Sequence, residues 1–181
     1  MGPAFCIPGT NGAKYGAKWV FVESGGLKWS MVVRSGERPK GGAMSKFVGR
    51  YQHSLDDKGR LILPAKFRFG FERGGNLSPQ IDGCIGLWDQ GGFQRQVSQR
   101  ESVVNEGDKA ARNKARYWAS LSREIEFDKQ GRFVLPIDIR EYAGISSEVI
   151  IVGALDHIEL WDPTVFAEVV DGASEAFKAG Q

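Results

Sequence analysis

Hydrophobic positions along this chain come in short runs separated by turn signals, with one longer helical stretch in the middle. Phe47, Val48 and Tyr51 mark a strand over residues 46–54. Further strands are predicted at 60–63, 84–88, 132–135, 148–153 and 157–161, where apolar and β-branched residues cluster. From about Gly91 to Ser120 the pattern turns helical and breaks near residues 105–107. Asp108 stands where the second helix needs an N-cap. Ala111, Ala115, Trp118 and Ala119 mark one face of that helix, while Lys109, Arg112, Lys114 and Arg116 lie mostly elsewhere, as on a solvated outer face. Residues 74–79, Gly-Gly-Asn-Leu-Ser-Pro, read as a loop. Ala173, Ala176 and Phe177 suggest a fraying terminal helix. Strands and helices in this order predict an α+β fold.

The pattern repeats. Leu55-Asp56-Asp57-Lys58-Gly59-Arg60-Leu61-Ile62-Leu63-Pro64 is answered 72 residues later by Phe127-Asp128-Lys129-Gln130-Gly131-Arg132-Phe133-Val134-Leu135-Pro136, and Arg68 by Arg140. Downstream, Leu87-Trp88-Asp89 and Phe93 are matched by Leu160-Trp161-Asp162 and Phe166. Each half therefore reads as turn, strand, short helix, strand, Leu-Trp-Asp and helix. Two copies of one unit predict a pseudo-twofold molecule whose special surface is also duplicated.

The chemistry of the repeat lies in Asp56–Arg60 and Asp128–Arg132. Gly59 and Gly131 suit a tight turn, and the aspartates can accept hydrogen bonds from its amides. Pro64 and Pro136 suit the first turn of a following helix. Asp89 and Asp162 stand at N-cap positions, with Pro163 as a first helical residue. An aspartate four residues before an arginine can grip the guanidinium bidentately and fix its direction. Such a pair either pins the turn, as most ion pairs do, or presents a planar fork to phosphate or guanine. Trp88 and Trp161 read as core or subunit-interface residues.

Charge narrows the choice. The 181 residues carry a formal net charge of +2. In residues 1–43, Lys14, Lys18, Lys28, Arg34, Arg38 and Lys40 face only Glu23 and Glu37, a net of +4, which leaves −2 for the remainder. A nucleic-acid contact must then come from a local patch. Lys46, Arg50, Lys58, Arg60, Lys66, Arg68 and Arg73 form the most basic part of the body; they are either phosphate contacts flanking Arg60 or a solvated face. Residues 1–43 are Gly-rich, with a short strand at Trp19–Val22, and are expected to be a disordered extension, a misassigned start ahead of Met44, or a basic arm. They lack a signal-peptide pattern, and no segment is long and apolar enough to span a membrane. Cys6 and Cys84 are too few for a disulfide framework and fit a reducing cytoplasm. His53 and His157 sit in no metal spacing, and phosphate-loop and nucleophile-elbow motifs are missing. The expectation is no enzyme, no metal, no cofactor and no small-molecule substrate.

Residues 44 to about 170 resemble the MraZ family of bacterial transcriptional regulators. The resemblance rests on Asp56-x-x-x-Arg60 and Asp128-x-x-x-Arg132, each followed by Leu-Pro, on the Gly49-Arg50-Tyr51 strand and on the Leu-Trp-Asp echoes. It implies two tandem AbrB-like (swapped-hairpin) units, at 47–93 and 121–166, with connecting helices over 94–120 and a tail over 167–181. It also implies a ring-shaped homo-oligomer that binds short repeated sites on double-stranded promoter DNA upstream of the division and cell-wall gene cluster, usually as a repressor at the nucleoid. Arg60 and Arg132 are then the DNA contacts, Asp56 and Asp128 their orienters, and Lys58 and Arg50 flanking candidates. Two other readings stay open: a ring-forming scaffold whose Asp–Arg pairs only pin turns, and an AbrB-like antitoxin.

Overall fold

The structure is a computed structural model that describes residues 18–22, 28–32, 47–104 and 108–180. The chain forms two compact units, Met1–Ala43 and Met44–Gln181. In the first, β1 (Lys18–Val22) pairs antiparallel with β2 (Lys28–Val32). β1 covers the short strand expected there. The other expectations for residues 1–43, a disordered extension or a misassigned start, lie outside the described residues.

The second unit holds both repeats. The first runs through β3 (Phe47–Ser54), β4 (Arg60–Ile62), a 3₁₀ helix (Ala65–Gly70), β5 (Gly75–Pro79), β6 (Ile85–Trp88) and α1 (Gln90–Val103). After α2 (Lys109–Leu121), the second runs through β7 (Arg123–Ile125), β8 (Arg132–Val134), α3 (Ile137–Tyr142), β9 (Glu148–Leu155), β10 (Ile158–Trp161) and α4 (Pro163–Lys178). The α+β class and the two tandem AbrB-like units hold.

The repeats are interleaved rather than side by side. Six strands form one antiparallel sheet in the order β3-β9-β10-β6-β5-β7. The first strand of each repeat pairs with the third strand of the other: β3 lies against β9, and β7 against β5. β6 and β10 meet at the centre, with Ile158 opposite Leu87. A separate two-stranded ribbon, β4 with β8, crosses the pseudo-twofold axis at the pair Leu61–Phe133. Both side chains are buried, in a cluster with Phe47, Leu63, Phe67, Leu135, Ile139 and Leu160. Exchange of strands means that neither repeat can bury its apolar face without the other.

Local chemistry explains most element ends. Asp89 Oδ1 accepts from Gly92 N and caps α1, Asp108 Oδ1 accepts from Ala111 N at 3.0 Å and caps α2, and Asp162 Oδ1 accepts from Thr164 N at 2.8 Å at the head of α4. Pro163 is the first residue of its helix, as its missing N–H favours. Pro64 and Pro136 stand one position earlier, as extended N-cap residues with ψ 136° and 148°.

One expectation needs correction. Residues 74–79 are not a loop. Gly75–Pro79 is strand β5, buried throughout and paired on both sides. Its glycine is demanded by packing, because a Cβ at Gly75 would come within 2.9 Å of Leu87 Cδ1, and its proline sits at the strand's last position. The helix expected at the end of the chain is α4, which runs to Lys178 and docks through Val165 and Phe166 beside Trp161. Among the described residues no helix is long and apolar enough to cross a membrane.

Candidate nucleic-acid interface

Each Asp–Arg pair is built by a tight turn whose amides converge on the aspartate. In the first, Gly59 N donates to Asp56 O at 2.8 Å, and Gly59 adopts φ +69°. Asp56 Oδ1 accepts from Lys58 N and Arg60 N, both at 2.9 Å, while Oδ2 accepts from Arg60 Nε and Nη2, both at 2.7 Å. In the second, Gly131 adopts φ +75°; Asp128 Oδ1 accepts from Gln130 N at 2.8 Å and Arg132 N at 2.9 Å, and Oδ2 from Arg132 Nε at 2.7 Å. In both turns the guanidinium is gripped through Oδ2, because the backbone takes Oδ1.

These donors favour the ionised carboxylates. The amide and then the guanidinium of Arg132 hold Asp128 down to about 2. Asp56 is also lowered, first by the Arg60 amide and, more weakly, by its guanidinium and the Lys58 amide. Both aspartates therefore stay charged at neutral pH, and each fixes one edge of its arginine. Among the described residues the side-chain hydrogen bonds of both guanidiniums go to their own aspartates. The far edge of each fork points away from its pin, with the side chains 30% and 34% exposed.

Register places both arginines on one surface. Arg60 lies opposite Val134, Leu61 opposite Phe133, and Ile62 opposite Arg132. Side chains alternate along a strand and directly opposed residues share a face. Leu61 and Phe133 point to the core, so Arg60, Ile62, Arg132 and Val134 share the outer face of the ribbon. The arginines stand on a diagonal of this ribbon, which separates them by roughly 7–8 Å at Cα.

The remaining candidates divide. Lys58 is at the tip of the first turn, exposed, and beside the pinned Arg60. Arg50 is not brought there. It sits on β3 opposite Val152, with its guanidinium 5.7 Å from the centre of the Phe166 ring of α4. The sequence reading passed over the role of Arg68 and Arg140. Arg68 donates from Nε to Leu63 O at 2.9 Å and lies across Gly131; Arg140 donates to Ser146 O at 2.7 Å and lies across Gly59. Each buttresses the turn of the other repeat, and their recurrence at matched positions was the available signal. Exposed Val134 and half-buried Ile62 were also missed as outer-face residues, although period-two alternation in Arg-Leu-Ile and Arg-Phe-Val was enough to find them.

The family model described as "MraZ protein, putative antitoxin-like" matches residues 47–115 and 120–181. This chain belongs to the MraZ family. Each of the two matched segments carries one of the two pinned turns. A protein of Thermomicrobium roseum named transcriptional regulator MraZ is 39% identical over 121 residues, 67% of this chain and 84% of that protein. A MraZ regulator of Syntrophomonas wolfei is 36% identical over 73% of this chain and 92% of its own length. That of Symbiobacterium thermophilum is 37% identical over 72% and 94%.

Proposed function

We propose that this chain is a sequence-specific DNA-binding transcriptional regulator that reads DNA with Arg60 and Arg132. The observation that carries this reading is the common outward face of two arginines, each held from behind by its own aspartate. A two-stranded ribbon is narrow enough for the major groove, and an arginine with a free edge can contact guanine O6 and N7 bidentately. Pinning the other edge restricts the rotamers before binding, so less freedom is lost on contact. Lys58 and Lys129, at the turn tips, suit phosphates, which position the protein and make affinity salt-dependent. The names of the relatives support the regulatory role.

One ribbon offers little affinity. A ring of several copies on repeated promoter sites multiplies it through effective concentration. In this reading the bound ring covers a promoter of the division and cell-wall gene cluster and represses it. Fluorescence anisotropy tests the first step: the full chain is titrated with duplexes tiled across the DNA upstream of its own gene, with scrambled duplexes and a salt series alongside. Selective, salt-steep binding is expected. Equal affinity for tiled and scrambled DNA at every salt concentration contradicts the reading.

A further inference from the structure

The outer face of the ribbon carries an apolar component that arginine–guanine contact leaves unused. Val134 is 55% exposed although it belongs to a strand whose next inward residue, Phe133, is buried. It stands directly across from Arg60, and Ile62 stands directly across from Arg132. The arrangement occurs twice, related by the pseudo-twofold axis: one pinned arginine and one β-branched aliphatic side chain on the same face, Val134 exposed and Ile62 half-buried. Opposed positions in an antiparallel pair put their Cβ atoms roughly 4.5–5.5 Å apart. One base step along a strand is about 3.4 Å. A guanine met by the arginine and a base one or two steps away therefore fall within the span of one such pair.

In the major groove a short aliphatic side chain offers no hydrogen bond. The base feature it complements is the C5-methyl group of thymine, which distinguishes T·A from the other pairs. We propose that Val134 is a specificity-determining residue that packs against a thymine methyl next to the guanine contacted by Arg60, with Ile62 in the related position beside Arg132. This inference rests on the DNA-binding reading above and deepens it. It implies that the recognised element contains thymine adjacent to guanine, rather than guanine alone.

The experiment takes a duplex that the full chain binds selectively and replaces each dT in turn by dU, which removes only the methyl. Anisotropy then gives Kd for the wild type and for Val134→Ala on each duplex. Losing the burial of one methyl corresponds to a weakening of roughly threefold to fivefold. The expected result is that one replacement in the element weakens the wild type by that factor, while Val134→Ala binds the dT and dU forms equally at that position. Selective binding that no dU replacement changes overturns the inference and leaves the arginine reading standing. The same holds if Val134→Ala keeps the full methyl sensitivity. If no tiled duplex is bound selectively, the underlying reading fails and this inference with it. The dU series needs no variant, so a folding defect in Val134→Ala does not block the test.

Discussion

Arg68 of the first repeat lies across Gly131 in the turn of the second. Its Nε bonds Leu63 O, and Leu63 N in turn donates to Gly131 O at 2.8 Å. The turn that holds Asp128 and Arg132 is thus braced by the opposite repeat. A Cβ at Gly131 would land on the Arg68 guanidinium and would also impose φ +75° on an L side chain. Gly131→Ala is expected to cost about 1–3 kcal/mol, from backbone strain and displacement of Arg68. Gly144 has φ +65° with open space around it, so Gly144→Ala reports strain alone. Urea unfolding of both variants checks this, and equal losses contradict the bracing role of Arg68.

Asp128→Asn keeps a carbonyl for the turn amides but removes the charge that holds Arg132. The fork is then free to rotate, and selectivity is expected to fall by about tenfold with non-specific affinity little changed. The ratio of Kd for specific and scrambled duplexes measures this. Acidity gives a second check. The folded value of Asp128, about 2, lies below its ordinary value of 3.8. Its contribution is therefore present above about pH 4 and lost as pH falls toward 2. Titration of the pin is expected to leave DNA affinity flat from about pH 5 to about pH 8, and a break near pH 5 contradicts the assigned state.

His157 stacks on Trp88 with ring centres 4.0 Å apart, and its Nδ1 lies 2.8 Å from Asp156 Oδ1 while Nε2 lies 3.4 Å from Glu159 Oε1. Burial pushes its pKa down, but the bonds to Glu159 and Asp156 outweigh this and leave it raised above 6.5. A raised folded value gives stability that is full below about pH 6.5 and is lost as pH rises through the folded value. The difference in Tm between wild type and His157→Gln is therefore expected to narrow from about pH 6 to about pH 9. A constant difference would mean that only the stack on Trp88 matters.

The turn tips differ in charge. The first carries Asp57 and Lys58, the second Lys129 and Gln130. If both tips approach phosphates, the second gains more attraction. Lys129→Ala is expected to lower the slope of log K against log salt by about 1 per site engaged, with selectivity unchanged. Lys58→Ala should act more strongly than Lys129→Ala only if the first turn dominates the contact, which the charge balance disfavours.

Much of this architecture was legible because its causes are local. Asp-x-x-Gly-Arg specifies its turn through a left-handed glycine and an amide-accepting aspartate. Asp89, Asp108 and Asp162 specify helix starts by the same kind of short-range bonding. What escaped depended on distant partners. Gly75–Pro79 carries loop-forming residues, yet β6 and β7 on either side make it a strand. The exchange of β3 and β7 between repeats has no local signal, since it joins residues such as Phe47 and Leu155 across more than half the unit. Arg50 looked like part of the basic patch because it is near Arg60 in sequence. The extended β3 carries it away to Phe166. The single-oxygen grip on Arg60 followed from backbone amides that sequence spacing alone does not count.

The central claim concerns the two arginines, and the double variant Arg60→Ala with Arg132→Ala tests it most directly. Anisotropy against the selectively bound duplex would be measured beside size-exclusion chromatography of the same preparation. The account predicts loss of selective binding in a protein that elutes like the wild type. Unchanged DNA affinity in the double variant would contradict it, and a variant that no longer assembles would show that the Asp–Arg pairs serve the fold.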